Sequence, residues 1–154
     1  MSSACVVNAS PLIVYQRIGQ FDLLRNILGH IYIPPAVRHE VFGDDPTPDW
    51  IEERLLMQPL ASQIVAARLG PGEREAIALA LEIGAAELVL DDLPARRMAG
   101  SLHIAVIGSV GLLLRANERG LISEVRPLMK AMQSEDFRIS DRVFDGILAA
   151  AGEK

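Results

Sequence analysis

The sequence predicts an α/β protein, a three-layer sandwich with a central, mainly parallel sheet under helices on both faces. Three observations carry this. Short apolar runs closed by turn formers alternate along the chain with helical stretches, and strands joined through helices pair in parallel. The first of those runs, Ala4-Cys5-Val6-Val7, is apolar throughout, which marks a strand buried on both faces. The core is aliphatic: half of the 154 residues are hydrophobic and only 5% are aromatic.

The first predicted strand covers residues 4–8 and ends in Asn8-Ala9-Ser10-Pro11. Residues 11–18 and 20–28 read as helices, punctuated by Gly19 and stopped by Gly29. A short strand at 30–33 ends at Pro34-Pro35, and Pro35 pre-sets the first turn of a helix reaching Phe42. A loop at 43–49 precedes a short helix expected at 50–54, an edge strand at 55–60 and a helical stretch at 62–69. Gly70-Pro71-Gly72 opens the clearest helix, 73–83, closed by Gly84. A buried strand at 87–90 runs into Asp91-Asp92. Then come a helix at 96–100, a strand at 104–107 and a helix from Gly108-Ser109 to Arg119. The tail is expected to hold helices near 122–132 and 141–151 around a strand at 137–139. Nothing in the chain reads as a linker, so a single domain is expected over 1–154.

Composition excludes several function classes. Cys5 is the only cysteine, so neither an intrachain disulfide nor a cysteine zinc cluster is possible. No basic, then apolar leader is seen, and no apolar run approaches the ~18 residues of a membrane span. A cytoplasmic protein is expected, with no membrane partner. The net charge is −5, and only two of the 15 basic residues are lysines. Broad phosphate neutralisation is thereby disfavoured. Contact with nucleic acid would run through a metal and a few arginines.

Polar groups interrupt apolar elements at three places: Asn8, the Asp91-Asp92 pair, and Glu75 in the first turns of its helix. A crossover helix runs antiparallel to its strands, so the helix holding Glu75 starts near the carboxyl edge of the sheet. Asp91 lies at that edge, and Asn8 joins it if the two strands are neighbours. Glu40 sits on the helix that leaves the second strand. Four oxygen-bearing side chains therefore converge in expectation on one edge, where such sheets place ligands. Clustered carboxylates resist full ionisation unless a cation neutralises them. Oxygen ligands favour Mg²⁺ or Mn²⁺ over zinc.

These residues resemble a known family. The runs Val6-Val7-Asn8-Ala9-Ser10-Pro11-Leu12-Ile13 and Pro35-Ala36-Val37-Arg38-His39-Glu40-Val41 look like the opening of small prokaryotic PIN-like proteins. So do Leu69-Gly70-Pro71-Gly72-Glu73-Arg74-Glu75-Ala76-Ile77-Ala78, Leu88-Val89-Leu90-Asp91-Asp92 and Ile107-Gly108-Ser109-Val110. The resemblance covers about residues 4–140. It implies a metal-dependent endoribonuclease using Mg²⁺ or Mn²⁺, often the toxin of a toxin–antitoxin pair, that hydrolyses RNA with a metal-bound water. Its acidic quartet falls on Asn8, Glu40, Glu75 and Asp91, with Asp92 a further candidate ligand. The family's usual first acid is an aspartate; Asn8 brings an oxygen without the charge, so weaker metal affinity is expected.

Ser10, Arg96 and Ser109 are candidate substrate contacts, the last through a helix start. RNA, a cognate antitoxin and a second copy of the chain are the expected partners. The dimer contact is placed on the helix holding Val110, Leu112, Leu113 and Leu114, apolar around its whole circumference. Two rival readings stand beside the ribonuclease: a PIN-like module that binds RNA or protein without chemistry, and an unrelated doubly wound domain for a small nucleotide.

Overall fold

In the computed structural model, which describes residues 3–154, the central sheet holds five parallel strands in the order β3-β2-β1-β4-β5. These are β1 (Cys5–Val7), β2 (Ile31–Ile33), β3 (Ile51–Glu53), β4 (Glu87–Val89) and β5 (Val106–Ile107). The helices are α1 (Ala9–Arg17), α2 (Phe21–Leu28), α3 (Pro35–Phe42), α4 (Ser62–Ala66), α5 (Pro71–Ile83), α6 (Leu93–Ser101), α7 (Ser109–Glu118), α8 (Arg126–Ser134) and α9 (Asp141–Ala150).

Successive strand side chains point to opposite faces, and the two halves of the core follow from that. Cys5, Val7, Ile31, Ile33 and Val89 face α1, α2 and α7 to α9. Val6, Leu88 and Leu90 face α4 to α6 through Ile64, Ile77 and Ala95. The expected three-layer sandwich is what the chain forms. Among the described residues no helix is long and apolar enough to cross a membrane.

Three local expectations are corrected. Residues 50–54 are not helical: β3 pairs with β2, the Ile31 N–H donating to Trp50 O and the Arg54 N–H to Ile33 O, both at 2.9 Å. Glu and Arg favour a helix there only weakly, and pairing with burial of Ile51 overrides that preference. Residues 55–60 form no strand, because the N–H groups of Met57 and Gln58 donate to the Glu82 carboxylate instead of a neighbouring strand. Residues 137–139 likewise form no strand; they bridge α8 and α9. Helix α7 packs Leu112 and Leu113, both fully buried, against the first core half and leaves Leu114 part-exposed.

Strand β1 is central, flanked by β2 and β4, with Val7 level with Val89. The Asn8 N–H donates to Val89 O at 3.0 Å, which carries the pairing one residue further. The carboxyl ends of β1 and β4 thus lie side by side at the point where the strand order reverses, the usual ligand position in such sheets.

Candidate active site

Asn8 ends β1 in extended backbone and is the N-cap of α1, so it is held by both a strand and a helix. It is 4% exposed, and its Oδ1 is buried without a hydrogen-bond partner. A buried acceptor left unpaired costs about 1–3 kcal/mol, and a ligand would satisfy it. Gly72, in the first turn of α5, faces this oxygen. A Cβ there would lie 3.3 Å from Asn8 Oδ1 and 3.5 Å from Glu40 Oε1, so the glycine leaves a bare cradle between the two.

Asp91, just beyond β4, is anchored from two helices. Ser109 donates its N–H to Asp91 Oδ1 and its hydroxyl to Oδ2, both at 2.7 Å. The Ser10 hydroxyl adds a bond to Oδ2 at 2.9 Å. Behind Ser109, the Tyr15 hydroxyl donates to Ser109 O at 2.8 Å. Burial, and secondarily the charge of Asp91, push the Tyr15 phenol well above its ordinary range, so it keeps its proton. The carboxylate thereby sits in a fixed frame of Ser10, Ser109 and Tyr15. A carboxylate offers about four acceptor sites, and three donors leave Asp91 capacity for a ligand.

These groups open on one cavity of about 890 Å³, whose polar wall includes Asn8, Ser10, Glu40, Glu73, Asp91 and Asp92. Asp92 is the N-cap of α6, accepting from the Ala95 N–H at 3.1 Å. Arg96 also lines the cavity; its Nη1 would lie 3.1 Å from a Cβ on Gly108, as would Asp91 Oδ1. A side chain there would make the guanidinium and the carboxylate give way by a few tenths of an ångström.

Two expected site residues take other places. The Glu75 carboxylate lies outside the cavity wall: its Oε1 accepts the Ala36 N–H at 2.9 Å, in the first turn of α3. Helix α5 starts at Pro71, two residues earlier than expected, and at 3.6 residues per turn positions 73 and 75 point about 200° apart. Glu73 is therefore the α5 carboxylate on the cavity. Ser109 is fully buried and holds Asp91 from behind, so it is a positioning residue with no surface for substrate. Sequence reasoning also passed over Phe137 and Arg138, which line the same cavity. The Phe-Arg-Ile stretch between two helices was the signal, misread as a strand.

Among the described residues no group of three or more His, Cys, Asp or Glu side chains forms a metal site by itself. The donors nevertheless fit a hard divalent cation in kind: all are oxygens, and the buried Asn8 Oδ1 lacks a partner beside Glu40. Asn8, Glu40 and Asp91, with Glu73 at the α5 start, are the residues that would hold it.

Residues 4–153 match a family model described as a PIN domain. No curated protein and no solved structure gives a significant match. PIN domains are generally nucleases that use divalent metals. With the match spanning nearly the whole chain and the five-stranded parallel sheet in place, the chain belongs to the PIN-domain family.

Proposed function

We propose that the chain is a Mg²⁺- or Mn²⁺-dependent endoribonuclease, acting as the toxin of a toxin–antitoxin pair in the cytoplasm. The observation that carries this reading is the unpartnered Asn8 Oδ1, buried beside Glu40 Oε1 in the cavity that Asp91 also lines. Asn8, Glu40, Glu73 and Asp91 would hold the cation, and Ser10 and Ser109 keep Asp91 aimed. A bound cation would supply the positive charge that stabilises negative charge developing on the phosphoryl oxygens. Arg96 orients the phosphate at the cavity wall. Water attacks phosphorus at the exposed mouth beside Glu40, giving its proton to solvent, and the leaving oxygen takes a proton from solvent as its bond to phosphorus breaks.

The test is incubation of single-stranded RNA with the purified protein in Mn²⁺ or Mg²⁺, and in chelator. Cleavage in metal that stops in chelator and falls at least about 100-fold in Asp91→Asn is expected, since small misplacements cost that much. Wild type without cleavage in either metal would defeat the reading. One observation favours a second reading, a PIN-like module that binds RNA or protein without chemistry: Asn8 supplies an oxygen but no charge. Unimpaired growth on expression of the wild type, with RNA bound but intact, would select it.

A further inference from the structure

We propose that the apolar part of the cavity lining is a subsite for a nucleobase of single-stranded RNA, built by the segment joining α8 to α9 together with the start of α9. The proposal rests on the nuclease reading and names how its substrate is gripped. The cavity of about 890 Å³ is far larger than a cation needs and falls in the range of small-molecule sites. Beside the carboxylates, its lining includes the apolar side chains of Ile107, Val110, Phe137, Ile139 and Val143. Phe137 is the only aromatic residue on it.

The backbone delivers that ring. Asp136 takes the left-handed conformation, with φ 61°, and the Phe137 N–H donates back to Met132 O at 3.1 Å. The chain therefore turns sharply off the end of α8 and presents Phe137 and Arg138 together. Ser140 then caps α9, its Oγ accepting the Val143 N–H at 3.2 Å, which brings Val143 to the rim 46% exposed.

Charge selects the occupant. Arg96 and Arg138 line this cavity, both exposed, and neither has an ion-pair partner among the described residues. Arg138, and Arg96 near Asp91 at Gly108, are the cavity's cations among its carboxylates, and beside one aromatic and several aliphatic side chains they match a ligand that joins anionic groups to a flat apolar ring. A nucleotide is such a ligand. Its base packs on Phe137 and Val143, and its phosphates reach Arg138 and Arg96, with the scissile one nearer Asp91. Aromatic–base stacking of this kind tolerates any sequence.

The experiment measures binding of a short single-stranded oligoribonucleotide by fluorescence anisotropy, in chelator at low salt and again in Ca²⁺. Phe137→Ala should weaken binding about tenfold, and Phe137→Tyr, which keeps the ring, should restore it. Arg138→Gln should flatten the log–log salt dependence by about 0.7. Since Phe137 also packs against the core, Val143→Glu separates binding from folding. It places a glutamate three residues after the Ser140 cap, a helix-favouring arrangement, so the melting temperature should hold while binding falls. Wild type that fails to bind in both conditions, or equal binding in wild type, Phe137→Ala and Val143→Glu, overturns the subsite. The latter result would also be seen if a protein segment occupied this wall. Cleavage by wild type with unaffected binding in the variants sinks the subsite alone. Variant-sensitive binding with no cleavage sinks the nuclease reading and leaves the subsite standing.

Discussion

Glu75 of α5 accepts the backbone N–H of Ala36 in the first turn of α3, at 2.9 Å. This carboxylate, expected among the metal ligands, ties the start of α3 to α5, and α3 carries Glu40. Glutamine at 75 retains an acceptor oxygen and should fold like wild type. Alanine should cost about 1–3 kcal/mol, the usual loss for a charged hydrogen-bond partner on a helix start. In Mn²⁺ titration by calorimetry, Glu75→Gln should match wild type and Glu73→Gln should bind several-fold more weakly. The reverse order would return Glu75 to the ligand set.

Asn8→Asp tests the centre of the site. The two side chains are nearly isosteric, but the aspartate adds a charge at a buried position whose Oδ1 has no partner. Without metal the protein should lose about 1–3 kcal/mol. With Mn²⁺ bound the charge is compensated and the melting temperature should rise further than in wild type. Thermal melts in chelator and in Mn²⁺ that shift together would remove Asn8 from the site.

The Tyr15–Ser109–Asp91 chain of hydrogen bonds predicts a graded series. Tyr15→Phe removes one bond to a backbone carbonyl and should cost about 1 kcal/mol in urea unfolding. Ser109→Ala takes a direct donor from Asp91 Oδ2 and should weaken Mn²⁺ binding as well as stability. Equal Mn²⁺ affinity in both variants and wild type would show that the frame does not govern Asp91.

Burial, aided by the Glu87 charge, pushes the Cys5 thiol up to about 12 from an ordinary 9.0. The unfolded chain ionises this thiol first, so its contribution to stability is whole below about pH 9 and is lost as pH climbs toward 12. Tyr15, shifted upward as well, works in the same direction. Urea midpoints should hold to about pH 9 and then fall, more shallowly in Cys5→Ala. At pH 8 iodoacetamide should leave the folded protein unmodified and label it in denaturant. Rapid labelling of the native protein would contradict the burial.

The sheet was legible because its strands carry their own signal: Cys5–Val7 and Leu88-Val89-Leu90 are apolar runs that lead into the turn formers Asn8 and Asp91. Strand β3 was not, since Ile51–Glu53 has one buried residue and two glutamates, and only its pairing to β2 makes it a strand. Asn8, Glu40 and Asp91 could be placed at one edge from strand ends and helix directions alone. Glu73 against Glu75 turned on helix phase, which depends on whether the first turn begins at Pro71 or two residues later. The Phe137 wall was hidden because its position rests on the left-handed turn at Asp136, a conformation no local composition announces.

The cavity draws its walls from residues as far apart as Asn8 and Ile147. A ribosome delivers these in order, at roughly 5–20 residues per second, so the first and last parts of the cleft emerge on the order of ten seconds apart. Until the stretch around Phe137 has been made, the acidic edge has only part of its cavity. A chain that stops short of this stretch carries Asn8, Glu40 and Asp91 but never completes the cleft around them.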